Sequence, residues 1–148
     1  MTAVRWMLDT NVVVSGLLSA GGPPGRLVDA ALSGVLHLVY DDRIAAEYRE
    51  VLARPRLGIA EAQREAFLAV LALHDLVVAQ PWVGARPPDP DDLMFLEVAL
   101  AADRILVTGN ARHFPRTVRG SVRVLSPVQA LERLHRRRPV ALRGRRAT

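Results

Sequence analysis

The sequence predicts an α/β protein built around a mostly parallel sheet. Short apolar runs of strand length alternate with longer amphipathic stretches, the pattern that repeated strand–helix units produce. The chain has 148 residues, which fits one domain with a full hydrophobic core. It has no cysteine, so neither disulfides nor thiolate metal ligands contribute to its structure.

Five apolar runs are short enough to be strands, and turn or capping residues separate them from the helices. The expected strands are Val4–Leu8, Leu36–Tyr40, Leu76–Ala79, Ile105–Thr108 and Val122–Leu125. The expected helices are Val12–Leu18, Gly25–Leu32, a helix from Asp41 or Asp42 to about Ala53, Glu61–Leu73, Leu93–Ala102 and one that begins at Pro127.

Local start and stop signals set the ends of these helices. The glycine–proline turn at 21–24 closes the first helix, and Pro55 ends the third. Ser126 and Gln129 form a capping box at the start of the last helix. That helix is expected to fray near Arg138–Pro139.

The charge divides the chain into two unequal parts. Residues 1–132 hold thirteen arginines and all fifteen acids, a net charge of −2, whereas the last sixteen residues hold seven arginines and no acid. We therefore expect a domain over 1–138 and a basic, disordered tail over 139–148. The tail can bind phosphates, remain solvated or meet an acidic partner segment, and the total charge alone identifies no nucleic-acid face.

No apolar run approaches the ~18–20 residues that a membrane span needs. The first residues also lack the long apolar stretch of a signal peptide. We expect a cytoplasmic protein that has no membrane segment.

Three acids stand where a hydrophobic core would not place them. Asp9 directly follows the first strand, at the end of a parallel sheet where ligands bind. Glu47 lies on or beside the apolar face of the third helix, and Asp92 closes the run PPDPDD at the start of the fifth. Each also has a purely structural interpretation: Asp9 as a helix cap, Glu47 paired with Arg43 or Arg54, and Asp92 at a helix dipole.

Asn110 follows the fourth strand and should share a sheet edge with Asp9. Two carboxylates ~4 Å apart repel by about 4 kcal/mol near a protein surface, so three can cluster cheaply only if one is protonated or a cation lies between them. Oxygen ligands suit Mg²⁺ or Mn²⁺, and such ions activate water and stabilise charge on an attacked phosphate. The sequence therefore predicts a divalent metal site.

The segments LDTNVVVSGLL, EYREVL and DPDDLMFLEVALAADRILVTGN-ARHF resemble the PIN domain. Within that family they are similar to the VapC-like toxins of bacterial toxin–antitoxin systems. The resemblance runs from about Val4 to about Arg133. It implies a three-layer α/β/α fold with a parallel five-stranded sheet, and a Mg²⁺- or Mn²⁺-dependent ribonuclease that leaves 5′-phosphate and 3′-hydroxyl ends.

The resemblance also assigns roles and partners. The carboxylates that match the catalytic and metal-binding positions are Asp9, Glu47 and Asp92. The residues expected to support them are Thr10, Thr108, Asp91 and Asn110. Asn110 stands where the family often has Asp, which bears on whether one or two ions bind. Arg112 and His113 are weaker candidates for RNA contacts, and His113 is favoured as a bystander over a proton donor. The implied partners are an RNA substrate, a small antitoxin and a second copy of the chain, with the helices around Arg43–Leu73 as a contact surface.

Other functions fit parts of the pattern. A housekeeping RNA-processing nuclease would use the same site, and Asn110 motivates an inactive PIN-like module that binds RNA or protein. A haloacid-dehalogenase phosphatase needs a second Asp where this chain has Asn11. Both that phosphatase and a response-regulator receiver rely on a lysine, and all twenty basic residues here are arginine.

Overall fold

The computed structural model describes the backbone of residues 4–146 and the side chains of residues 4–136. Five strands form one sheet in the order β3-β2-β1-β4-β5, and every neighbouring pair is parallel. The strands are Val4–Leu8 (β1), Leu36–Tyr40 (β2), Asp75–Leu76 (β3), Ile105–Val107 (β4) and Arg123–Leu125 (β5). The expected α/β/α fold with a parallel five-stranded sheet is confirmed.

Within residues 4–146, six α-helices pack around the sheet; five of them lie between successive strands and the sixth follows the last strand. They are Thr10–Leu18 (α1), Pro23–Leu32 (α2), Asp42–Leu52 (α3), Glu61–Leu71 (α4), Leu93–Leu100 (α5) and Pro127–Arg146 (α6). Four short 3₁₀ turns lie between them, at Pro55–Leu57, Pro90–Asp92, Ala111–His113 and Arg116–Val118. None of the helices within the described range is both long and apolar enough to cross a membrane.

The centre of the core is β1, which has a strand on each side. Trp6, Met7 and Leu8 are fully buried there, since a parallel sheet covered by helices leaves both faces of a central strand dry. The neighbouring strands are equally apolar where they meet β1, as Leu36 and Leu106 show. This explains why the central strands could be recognised from continuous apolar runs.

The order of the strands creates a crevice beside β1. From β1 the chain adds β2 and β3 on one side, and it then returns to place β4 and β5 on the other. In open α/β sheets, ligands bind outside the carboxyl ends of the strands at such a reversal. Asp9 follows β1 and Thr108 follows β4, so both lie at this point, and the Asp9 N–H donates to Val107 O at 2.8 Å.

Most boundaries of the strands and helices lie within two residues of the sequence prediction, but two differ by more. The third strand covers Asp75–Leu76 instead of Leu76–Ala79, because β2 provides ladder partners only at Val39 and Tyr40. A strand's length is set by its neighbour, which a local apolar run does not reveal.

The last helix starts as predicted but continues further. The Ser126 N–H donates to the Gln129 side-chain oxygen at 2.9 Å and the Gln129 N–H donates to Ser126 Oγ at 3.1 Å, which confirms the capping box. The backbone stays helical through Arg138–Pro139 to Arg146, because one proline removes a single backbone donor and can bend a helix without ending it. The proposed division into 1–138 and 139–148 stays a prediction, and the side chains from 137 onward lie outside the description.

Candidate metal centre at the carboxyl edge of the sheet

Asp9 is a buried acid at the carboxyl end of the central strand. It is 6% exposed, and although it occupies the N-cap position of α1, its carboxylate makes no capping hydrogen bond. Burial raises the pKa of Asp9, against the smaller lowering effects of the Thr108 hydroxyl and of the N–H groups of Asn11 and Thr10. The Asp9 carboxylate therefore interacts with the Thr108 hydroxyl after β4 as well as with the start of α1, so its contacts extend beyond those of a helix cap.

Thr108 connects the end of β4 to Asp9. Its hydroxyl donates to Asp9 Oδ2 at 2.8 Å and accepts from the Asn110 N–H at 3.0 Å, and the residue is 1% exposed. Asn11 lies across the same gap: its Oδ1 accepts from the Gly109 N–H at 3.0 Å, and its Nδ2 is 3.4 Å from Asp9 Oδ2. Side chains that follow β1 and β4 thus fix the position of Asp9 Oδ2.

Glu47 is held on α3 by the residue that follows Asp9. The Thr10 hydroxyl donates to Glu47 Oε2 at 3.0 Å. The alternative ion pairs are absent within the described residues, because Arg43 contacts Asp41 and Glu97 and Arg54 contacts Glu50. Glu47 is therefore aligned toward α1, not toward a neighbouring arginine.

Asp92 carries a buried oxygen that accepts no hydrogen bond. It ends the Pro90–Asp92 turn and leads into α5, and its side chain is 13% exposed. Oδ2 has no hydrogen-bond partner among the described residues, and His113 Nδ1 lies 3.4 Å from it. The pKa of Asp92 is raised to about 6 by burial first and by the negative charges of Asp9, Asp89 and Asp91, against the lowering effect of His113. A buried, unpaired carboxylate oxygen is costly unless a cation approaches it.

Asn110 contacts His113, whose other ring nitrogen lies near Asp92. The Asn110 amide nitrogen lies 2.9 Å from His113 Nε2. An amide N–H can donate to Nε2 when that ring nitrogen carries no proton, and the other ring nitrogen, Nδ1, lies on the side of Asp92. The histidine expected to be a bystander thus bridges the third acid and the fourth position.

The other acids of the PPDPDD run contribute a smaller repulsion to Asp92. Asp89 caps the Pro90–Asp92 turn by accepting from the Asp91 N–H at 2.9 Å. Asp91 is exposed and lines a cleft of about 530 Å³ together with Glu47. Arg112 also stands outside the acids, in a cleft that it shares with Asn11 and Asn110.

The donor set fits a hard divalent cation at the Asp9–Asp92 pair. Within residues 4–136, no three carboxylate or imidazole side chains converge tightly enough to form a metal-binding group. Asp9 and Asp92 nevertheless repel each other, both have raised pKa values, and Asp92 has one oxygen that accepts no hydrogen bond. A cation between them would relieve all three features, and carboxylate oxygens suit Mg²⁺ or Mn²⁺.

Two buried residues near the site were missed at the level of sequence. The Tyr48 hydroxyl donates to the carbonyl of Leu8 directly beneath Asp9, and burial raises the pKa of Tyr48 well above its usual value. Glu97 is 7% exposed on α5 and bonds to both Arg43 and the N–H of Trp82. A single acid within the apolar run LMFLEVAL was the available signal for Glu97.

The fold and this site define a class of protein. A family model for the PIN domain matches residues 5–112, so the chain belongs to the PIN-domain family. No match was found among curated proteins or among solved structures. PIN domains are generally nucleases, commonly metal-dependent, and membership therefore supports a hydrolase that acts on nucleic acid.

Proposed function

We propose that this protein is a Mg²⁺- or Mn²⁺-dependent endoribonuclease and the toxin of a type II toxin–antitoxin pair. The observation that carries the nuclease is the unbonded oxygen of Asp92, coupled electrostatically to buried Asp9 at the reversal of strand order. The resemblance to VapC-like toxins supports the choice of RNA as substrate and of the toxin as the biological role.

Each side chain has a defined part in the proposed reaction. Asp9 and Asp92 would hold the ion, with Glu47 reaching it directly or through water. When bound, the ion supplies an activated water and stabilises charge on the attacked phosphate. Thr108 keeps one Asp9 oxygen in place, and Thr10 does the same for Glu47. Hydrolysis consumes one water, breaks one P–O bond and leaves 5′-phosphate and 3′-hydroxyl ends.

The partners follow from the same proposal. A toxin of this class acts in the cytoplasm, is silenced by a small antitoxin and commonly forms a homodimer, here with the helices around Arg43–Leu73 as the proposed contact. The seven arginines that follow Glu132 offer a basic segment for an acidic partner or for RNA.

Asn110 supports a second candidate. An amide replaces a charge at the fourth position and is engaged with His113, so the site has one carboxylate fewer to hold a second ion. A PIN domain that binds RNA or protein without cutting would have this feature. A housekeeping RNA-processing nuclease would instead cut but would not arrest growth when expressed alone.

The test is cleavage of a structured and an unstructured RNA by pure protein with Mn²⁺, with Mg²⁺ and with EDTA. Asp9→Asn and Asp92→Asn should each lose the metal-dependent cleavage, and Asp29→Asn, which changes an exposed acid on α2, should keep it. Full cleavage by Asp9→Asn would overturn the assignment. Growth arrest on expression, relieved by the product of a small adjacent gene, would separate the toxin from the processing enzyme.

A further inference from the structure

An open cleft of about 410 Å³ lies beside the acids and contains no acid itself. Eight residues line it, including Asn11, Ser15, Asn110 and Arg112, and none of the eight is Asp or Glu. Each of three other clefts in the described part of the chain has at least one carboxylate in its wall. Asp29 lines one of them, Asp41 the second and Glu47 the third. Acids outnumber arginines in the chain up to Glu132. A cleft that has an arginine and no acid is therefore a favourable place for an anion to bind.

Arg112 is available to a ligand. Its side chain is exposed and takes part in no hydrogen bond or ion pair within residues 4–136. The turn that carries it is anchored, because the His113 N–H donates to Asn110 O at 3.1 Å and the next residue, Phe114, is fully buried. Its guanidinium offers five donors in a planar fork that matches a phosphate.

The cleft shares a wall with the proposed metal site. Asn11 lines the cleft and also places its Nδ2 3.4 Å from Asp9 Oδ2. Asn110 lines it too, and its amide meets the histidine that faces Asp92. Ser15 adds an exposed hydroxyl one helical turn beyond Asn11.

We propose that this cleft, named here the Arg112 cleft, binds a phosphate of the substrate RNA strand next to the phosphate that is cut. The inference rests on the proposed nuclease function, because the shared wall places the cleft beside the Asp9–Asp92 pair. Phosphates repeat at regular intervals along RNA. When one phosphate of the RNA lies at the Asp9–Asp92 pair, the next phosphate along the RNA can therefore lie in the adjoining cleft. Arg112 supplies the charge, while Ser15 and Asn11 supply neutral polar groups.

The experiment compares Arg112→Ala with Arg116→Ala, which removes an exposed arginine from the next 3₁₀ turn, outside the cleft. The probe is a short single-stranded RNA, with binding measured in EDTA and cleavage measured in Mn²⁺. For Arg112→Ala we expect a Kd and a KM raised about tenfold, with kcat within about twofold of the parent. The slope of log K against log salt should fall by about 0.7, the change for one lost phosphate contact on a single strand.

A second probe locates the phosphate. Oligonucleotides with one neutral methylphosphonate at each position around the cut should bind the parent more weakly at one flanking position. At that position they should bind Arg112→Ala no more weakly than the unmodified RNA does. If a methylphosphonate at one flanking position weakens binding to the parent and not to Arg112→Ala, the contact between Arg112 and that phosphate is established.

The outcomes separate the cleft from the nuclease. Equal effects of Arg112→Ala and Arg116→Ala, an unchanged salt slope, or a fall in kcat without a change in KM would each overturn the Arg112 cleft, whether or not the protein cuts RNA. An Arg112-dependent binding step without cleavage by the parent would support the cleft while overturning the nuclease. Thermal melts of both variants confirm folding, since both side chains are exposed.

Discussion

Arg43 on α3 and Glu97 on α5 form an ion pair of 2.7 Å that joins the helix carrying Glu47 to the helix that Asp92 directly precedes. The other Glu97 oxygen accepts from the Trp82 N–H at 2.8 Å, so one acid holds α3, α5 and the proline-rich loop together. Glu47 lies one helical turn beyond Arg43, and Asp92 lies at the start of the helix that contains Glu97. The distance between Glu47 and Asp92 therefore depends on the Arg43–Glu97 ion pair, although this pair contacts neither acid.

Replacing Glu97 should destabilise the protein more than replacing an exposed partner. Glu97→Ala leaves the buried Trp82 N–H without an acceptor and removes the charge opposite Arg43, so we expect a loss of about 2–3 kcal/mol in unfolding free energy. Arg43 is about half exposed and can regain water, which limits the loss. Urea denaturation measures it.

The matched control is Glu50→Ala, which removes a 2.8 Å pair with Arg54 on the surface of α3. Glu50 is 62% exposed, so its loss should cost no more than about 1 kcal/mol. Equal destabilisation by the two changes would contradict the bridging role of Glu97.

Thr108→Val should impair the site without emptying the space that Thr108 fills. The change removes the hydroxyl that donates to Asp9 Oδ2 and accepts from the Asn110 N–H, at a position that is 1% exposed. We expect a loss of about 1–3 kcal/mol in stability and about a tenfold weaker affinity for Mn²⁺, measured by calorimetry. Thr108→Ser keeps the hydroxyl and should retain most of the affinity; weak binding by both would point to packing instead.

Asp92 should make the metal-free protein less stable as pH rises through the acidic range. Its pKa is raised from 3.8 to about 6 in the folded protein, so folding favours the protonated acid. The unfolding free energy should therefore fall between about pH 4 and pH 6 and change little from this source above that window.

Asp92→Asn tests that sign. The variant should lose this part of the pH dependence and be more stable than the parent at pH 7 in EDTA, by about 1–2 kcal/mol after allowance for solvent screening. Saturating Mn²⁺ should reverse the order by stabilising only the parent. A variant that is less stable than the parent at pH 7 in EDTA would refute the account.

Asn110→Asp should increase the dependence on metal. A new carboxylate beside His113 and near Asp92 adds repulsion without metal and a ligand with it. We expect a lower melting temperature in EDTA and a larger rise in melting temperature when Mn²⁺ is added. The rate of RNA cleavage should also increase more steeply with Mn²⁺ concentration. Asn110→Ala controls for loss of the amide contact, and it should show the first effect without the other two.

Much of the fold was readable because its signals are local. β1 and β2 were predicted with the observed bounds, and the capping box at Ser126 lies within four residues. β3 was misplaced because its extent depends on Val39 and Tyr40 in another strand. The acids at the ends of strands and helices could be named for the same local reason, since Asp9 directly follows an apolar strand and Asp92 closes the run PPDPDD directly before an apolar helix.

By itself, the sequence determined the elements, their alternation and the acids that stand at their ends, because apolar periodicity and capping act over a few residues. Only the tertiary structure decided what those acids meet. Thr108 and Asp9 are 99 residues apart, and Arg43 and Glu97 are 54 apart. Such pairs form because packing of the sheet and helices brings together residues that are far apart in the sequence. Burial then makes a charge without a partner costly, so the packed arrangement in which each charge is paired has the lower free energy.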